Sequence, residues 1–208
     1  MLDITPDPTV CPACVEVAPT VPPAERERML DAYSHAAARD PNVQVLAATL
    51  YVGLGDTLGR VPNACEVLQC LMDAVHDLVS YLPDPAGREI FQPVQSILGN
   101  AMGSETSPLT GFMRGGDDCE GLASVFVAFA LCLGFRARNV WVDQEGATLN
   151  HVRAEVCNNG QFPTNFARMC IVIESTVPGA FPGETTDAAL ARVGDHFHSR
   201  VYGESATN

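Results

Sequence analysis

An uninterrupted apolar run in the middle of the chain constrains the fold more than any other feature. Residues 121–135 contain no charged side chain, so a helix over this run is apolar on every side. A helix of that kind is buried in the core of a larger domain. A membrane-spanning helix needs about 20 such residues, and this run is shorter. We therefore predict a central, buried helix of a globular domain, with Gly134 as its left-handed C-terminal cap.

Apolar spacing also predicts helices before the central one. Residues 24–39 repeat apolar side chains at helical intervals, and a continuous apolar stripe over 67–79 predicts a second helix. The apolar residues 43–54 fit either a helix or a strand. The stretch 85–114 mixes Gly, Pro, Ser and Thr with short apolar pieces, which predicts an irregular surface segment.

After the central helix the pattern changes to strands. The runs 135–142 and 148–156 flank a turn-like Asp-Gln-Glu-Gly segment and predict an antiparallel hairpin. Residues 168–176 form a third strand candidate, and 184–199 a last helix. The order predicts an α+β fold in which the central helix packs on an antiparallel sheet.

The two ends of the chain differ in composition. The first 23 residues hold six of the 15 prolines, which predicts an extended arm, and such an arm is a candidate docking segment for a protein partner. Residues 24–208 then form one domain, with a helical part at 24–114 and a core at 115–177.

Charge and composition exclude several functions. Asp and Glu total 25 against 12 basic residues, all of them arginine, for a formal charge of -13. This charge argues against nucleic acid and anionic membrane surfaces as partners. The absence of lysine excludes a P-loop lysine and a Schiff-base lysine. The amino-terminal sequence lacks the pattern of a signal peptide, so we expect a cytoplasmic protein whose eight cysteines are reduced.

Cys119 is the strongest candidate for a nucleophile. It stands at the start of the central helix, where free N–H groups and the helix dipole favour a thiolate. The neighbouring carboxylates Asp117, Asp118 and Glu120 oppose ionisation, so the thiol needs a positive partner. Histidine supplies such a partner.

His151 lies in the second strand of the predicted hairpin. Strand alternation places it on one face with Arg153 and Glu155, and we expect this face to look toward the start of the central helix. Glu174, at the end of the third strand, is placed to orient the imidazole. The predicted catalytic residues are therefore Cys119 as nucleophile, His151 as general base and acid, and Glu174 as its orienter.

Four short motifs carry a family resemblance: 116–123 (GDDCEGLA), 134–140 (GFRARNV), 151–156 (HVRAEV) and 173–176 (IEST). Over residues 115–177 the chain resembles the transglutaminase-like branch of the papain-like cysteine protease superfamily. The resemblance implies a thiol protease or related enzyme that acts on a peptide, an isopeptide or a glutamine side chain. Its chemistry would pass through a thioester, by hydrolysis, deamidation or acyl transfer, with no metal or organic cofactor.

The chain departs from the family pattern at three positions. Arg153 stands where an aromatic residue is common, Glu174 where aspartate is usual, and Gly121 where an acidic residue is frequent. A catalytically silent domain that serves as a structural or interaction module is therefore the main alternative.

Two smaller questions stay open at this stage. Cys11 and Cys14 have the spacing of a redox dithiol or of half a zinc site. An oxyanion hole needs a donor from upstream of Cys119, and Gln92, Gln95 and Asn100 are equal candidates for it.

Overall fold

One apolar helix lies at the centre of a mixed α+β fold. The computed structural model describes residues 15–18, 20–82, 84, 89–102, 115–142, 151–157 and 170–193. In chain order the elements are β1 (Val15–Glu16), α1 (Pro23–Ala37), α2 (Pro41–Leu58), α3 (Ala64–Leu78), β2 (Val79–Tyr81), β3 (Ile90–Phe91), α4 (Val94–Met102), β4 (Gly115–Asp117), α5 (Cys119–Cys132), β5 (Arg136–Val142), β6 (His151–Cys157), β7 (Cys170–Ile173) and α6 (Thr186–Val193).

Helix α5 confirms the prediction of a buried central helix. Every residue from Glu120 to Ala130 is buried, and Phe126 and Phe129 are among the largest fully buried side chains. Gly134 follows the helix with a φ of 83°, a conformation that glycine adopts without steric cost. No helix in the described part of the chain is long and apolar enough to cross a membrane.

The surrounding helices follow their local signals. Helix α1 is confirmed, and the ambiguous run 43–54 belongs to α2, which begins at Pro41 after its N-cap Asp40. Helix α3 begins with a capping box, in which the Asn63 and Glu66 side chains each accept from the other residue's backbone N–H. These helices pack against α5 in one core cluster.

The prediction of an irregular surface segment at 85–114 is wrong for part of that stretch. The described residues include β3 and helix α4, in which Val94, Ile97 and Leu98 are fully buried. These three residues recur at helical spacing and pack in the core cluster that contains α5.

The sheet after α5 has the predicted antiparallel hairpin as its main part. Strand β6 lies between β5 and β7 and pairs antiparallel with both. The turn of the hairpin lies outside the described residues, as does the chain after residue 193 into which we extended the last helix. The coarse α+β prediction is confirmed.

Part of the proline-rich arm belongs to the folded domain. Strand β1 pairs with β3, matching Val15 with Phe91, and Val17 is buried in a second core cluster with Trp141 and Val152. The domain therefore begins before residue 24. Residues 1–14, with Cys11 and Cys14, lie outside the described ranges.

A disulfide joins β6 to β7. Cys157 and Cys170 are directly opposite each other in the strand register and are bonded, so the expectation of reduced cysteines is wrong for this pair. The four remaining cysteines in the described part, Cys65, Cys70, Cys119 and Cys132, are free thiols. The bond fastens together the two strands that lead to His151 and Glu174.

Reduction of this disulfide is expected to lower the free energy of unfolding by about 3 kcal/mol, because it closes a loop with a sequence separation of 13 residues. Urea denaturation with and without a phosphine reductant measures the change. A double variant, Cys157→Ser with Cys170→Ser, is the control and should not respond to the reductant. An unchanged wild-type midpoint after complete reduction would contradict the prediction.

Candidate active site

Cys119 is the first residue of α5, as the sequence predicts. The parallel pair β2–β4 leads into this helix, with Tyr81 opposite Asp117, and Asp118 precedes the first helical turn. Cys119 is part-buried and packs at the edge of the second core cluster. The paired strands thus hold the start of the helix at a fixed place in the domain.

The thiol of Cys119 points to a carboxylate. Its Sγ donates a hydrogen bond to Glu120 Oε2 at 3.0 Å. Among the described residues no hydrogen bond joins Cys119 to His151. The backbone N–H of Val152, the residue after His151, hydrogen-bonds to the sulfur and acts to lower the pKa of the thiol. The thiol therefore lies beside the start of β6 while its proton is directed to Glu120.

The electrostatics of Cys119 differ from the expectation of a stabilised thiolate. Burial, followed by the charges of Glu120 and Asp118, raises the pKa of the Cys119 thiol well above its usual range. These opposing effects exceed the contribution of the N–H groups at the helix start. Cys119 is thus a protonated thiol at neutral pH in this arrangement.

The carboxylates around Cys119 form a buried cluster. Burial and the charge of Asp118 raise the pKa of Asp117 to about 8, and burial also raises the pKa of Asp118 and of Glu120. Asp118, Cys119 and Glu120 each present one ligand atom, and these atoms lie within 4.8 Å of one another. This donor set is chemically able to hold a cation.

His151 and Glu174 form the pair that the sequence predicts. The His151 Nε2–H donates to Glu174 Oε2 at 2.8 Å, and both side chains are buried. A carboxylate in this position fixes the imidazole and stabilises its protonated form. Because Nε2 is engaged, Nδ1 is the ring nitrogen that can receive a proton from a nucleophile.

Glu174 is a fully buried carboxylate with a complete set of donors. Its Oε1 accepts from the Thr176 backbone N–H at 3.2 Å and from the Thr176 hydroxyl, and its Oε2 also accepts from the Thr186 hydroxyl. Burial acts to raise the pKa of Glu174, but the hydrogen bonds from His151, Thr176 and Thr186 lower it overall. Glu174 is therefore ionised at neutral pH.

Sequence reasoning missed several residues around this pair. Thr176 and Thr186 donate to Glu174, and the His76 ring N–H donates to the Ser175 carbonyl at 2.6 Å. Thr176 follows Glu174 by two residues and was a detectable local candidate. Thr186 and His76 come from other elements, and no sequence signal marks them.

The orientation of β6 corrects one expectation. Val152, Ala154 and Val156 are the fully buried side chains of the strand, and they lie in the same core clusters as α5 residues. The face that carries Arg153 and Glu155 is the opposite one, where Glu155 pairs with the exposed Arg138. That face, to which strand alternation also assigns His151, does not look toward the body of α5, because the apolar face is the one that α5 buries.

Gly121 has a direct structural explanation. A Cβ atom at this position would lie 2.2 Å from Asp117 Cβ, which is far too short for two carbon atoms that are not bonded to each other. The buried Asp117 side chain fills the space that a side chain at position 121 would need. The absence of an acidic residue here therefore follows from the local packing.

The three candidates for an oxyanion donor differ in their position relative to the start of α5. Gln92 hydrogen-bonds to Asp117, next to the start of α5, and acts to lower the pKa of that carboxyl. Gln95 lies on α4 with a buried Oε1 that has no described partner, and the side chain of Asn100 lies outside the described set. Of the three, Gln92 is therefore the candidate shown to lie beside the segment that leads into Cys119.

No protein-family model, curated protein or solved structure matches this chain significantly. The site therefore has to be interpreted from its own chemistry.

Proposed function

We propose that the protein is a cysteine-dependent hydrolase or acyl transferase that acts on amide bonds, with a transglutaminase-like core. The observation that carries the proposal is the buried hydrogen bond between His151 Nε2 and Glu174 Oε2 at 2.8 Å. This pair adjoins the helix start that presents Cys119, since the Val152 N–H next to His151 contacts the sulfur. A nucleophile, a base and a group that orients the base are the three parts that such chemistry needs.

The mechanism begins with a neutral thiol. The mechanism requires the Cys119 side chain to rotate away from Glu120 and to bring the sulfur to Nδ1 of His151 at the start of β6. The imidazole then takes the thiol proton as the sulfur attacks the amide carbonyl, and Glu174 stabilises the imidazolium. Collapse of the tetrahedral intermediate breaks the C–N bond, gives the proton to the leaving amine and leaves a thioester. Water or a second amine releases the acyl group.

The substrate in this proposal is a protein or peptide amide: a peptide bond, an isopeptide bond or a glutamine side chain. Gln92 is the proposed side-chain donor to the oxyanion, together with the backbone N–H of Cys119.

The second candidate function is a silent interaction module. The observation that favours it is the hydrogen bond from the Cys119 thiol to Glu120, together with the raised thiol pKa. In this alternative Cys119 is a structural residue of the helix start.

Alkylation by iodoacetamide distinguishes the two candidates. Mass spectrometry would follow each free cysteine at pH 7, with the exposed Cys65 as an internal reference. If the protein is an enzyme, iodoacetamide should alkylate Cys119 faster than Cys65 despite the lower exposure of Cys119, because His151 takes the thiol proton. His151→Ala should abolish this difference in rate. Slower alkylation of Cys119 than of Cys65 in the wild type is the result expected of a silent module.

A further inference from the structure

The donors of Glu174 come from two different parts of the fold. His151 and Thr176 lie within the 115–177 core, whereas Thr186 is the first residue of α6. The Thr186 hydroxyl donates to Glu174 Oε2, the same oxygen that receives His151 Nε2–H. Helix α6 thus reaches the side of the carboxylate that faces the imidazole.

The hydroxyl of Thr186 has no capping role in its own helix. The first turn of α6 is capped by the preceding residue, since the Ala188 N–H donates to Thr185 Oγ1 at 3.4 Å. Thr186 is itself buried. The two adjacent threonines therefore differ in function, with Thr185 serving the helix and Thr186 serving Glu174.

The position of Thr186 is fixed by contacts on both sides. Before the helix, the Gly183 N–H donates to the Val172 carbonyl of β7 at 2.8 Å. Within the helix, Ala189 is fully buried. Near its end, Arg192 pairs with Glu184 at 2.8 Å and stacks over the Phe181 ring at 4.1 Å. These contacts position the Thr186 hydroxyl against the Glu174 carboxylate.

A carboxylate needs such a donor in order to keep one orientation. Its plane can rotate, and each oxygen offers two lone-pair directions. When Thr186 occupies one lone pair of Oε2, the other is directed to His151. Without this donor, a fully buried oxygen loses a hydrogen bond that favours the ionised form.

We propose that Thr186 is a positioning residue, which holds the Glu174 carboxylate so that Oε2 faces His151 Nε2. Its catalytic consequence rests on the proposed function above, but its effect on Glu174 does not. Among the residues that the structure describes, the titratable groups that interact with Glu174 from elements packed against it are His151 on β6 and His76 on α3.

The test compares Thr186→Val, which removes the hydroxyl and keeps the shape, with Thr186→Ser, which keeps the hydroxyl. Thr185→Val is the matched control at the neighbouring, exposed position. Carboxyl ¹³C NMR would follow the titration of Glu174 in each full-length variant. We expect Thr186→Val to raise the pKa of Glu174 by about one unit, and Thr186→Ser and Thr185→Val to leave it unchanged.

Activity provides a second readout. With a peptide amide substrate, Thr186→Val should lower kcat about tenfold at constant KM, and Thr186→Ser should restore it. An unshifted Glu174 pKa in folded Thr186→Val would overturn the inference whatever the activity. If Thr186→Val does not fold, Thr186→Ala takes its place, with the same expected shift. If Thr186→Val shifts the pKa of Glu174 but the wild-type protein cleaves no amide, the positioning role is supported and the proposed enzyme is not.

Discussion

Replacement of Cys119 by alanine is expected to remove amide-bond activity, by a factor of about 10⁴ or more. The thiol is the proposed nucleophile, and the substitution leaves a methyl group that cannot form a thioester. The rate of cleavage of a fluorogenic peptide amide and the melting temperature should be measured on the same preparation. The free energy of unfolding should fall by about 2 kcal/mol, because the part-buried side chain loses two hydrogen bonds, one to Glu120 and one from the Val152 N–H.

The control for this variant is Cys65→Ala. Cys65 is also a free thiol at the start of a helix, but it is exposed on α3. It should keep wild-type activity and stability. Full activity in Cys119→Ala would remove Cys119 from the mechanism, and a large loss of stability without any wild-type activity would favour the structural alternative.

Glu174→Gln is expected to lower the rate about 10³- to 10⁴-fold. The amide of glutamine replaces one carboxylate oxygen with an NH2 group, so it cannot accept hydrogen bonds both at Oε1, which faces Thr176, and at Oε2, which faces His151 and Thr186. The imidazole then loses its ionic partner and its fixed orientation. The thiol remains, so iodoacetamide should still modify Cys119, at a lower rate than in the wild type.

The pH dependence of stability provides a second test of Glu174→Gln. The hydrogen bonds from His151, Thr176 and Thr186 lower the pKa of Glu174 in the folded state despite its burial. Its contribution to stability is therefore complete above the unfolded value of about 4.5 and is lost as the pH falls through the lower folded value. Urea denaturation between pH 3 and pH 7 should show a smaller acid dependence in Glu174→Gln than in the wild type. An equal acid dependence, or full activity, would contradict the assigned role.

The raised pKa of Cys119 shapes the expected chemistry. Enzymes with a preformed thiolate separate charge before the substrate arrives. Here burial and the charges of Glu120 and Asp118 oppose that separation, so in the proposed mechanism the thiol proton leaves only as the sulfur attacks. The proposed nucleophile would thus depend on His151 at the moment of reaction, which is why removal of either His151 or Glu174 should have a large effect.

Local sequence patterns predicted the parts of this protein that depend on neighbours along the chain. The central helix, its glycine cap, the hairpin and the position of Cys119 at the helix start all follow from apolar spacing and capping residues within a few positions. The His151–Glu174 pair was also predicted, because each residue stands at the end of a recognisable strand. Helix α4 was missed although Val94, Ile97 and Leu98 have helical spacing, because this apolar stripe is short and stands among Gly, Pro and Ser residues that indicate a loop.

Tertiary contacts decided the rest. The space that Asp117 of β4 takes from position 121 of α5, and the hydrogen bond from Thr186 of α6 to Glu174, join atoms from separate elements. So does the disulfide between Cys157 and Cys170, whose register is set by the pairing of β6 with β7. The Cys119 thiol and the carboxylates next to it are neighbours along the chain, but their raised pKa values come from burial, which folding sets. The sequence by itself determined which residues could carry chemistry, since periodicity and residue type are local properties. Only the packed structure decided their protonation and orientation, because both depend on burial and on partners brought together by folding.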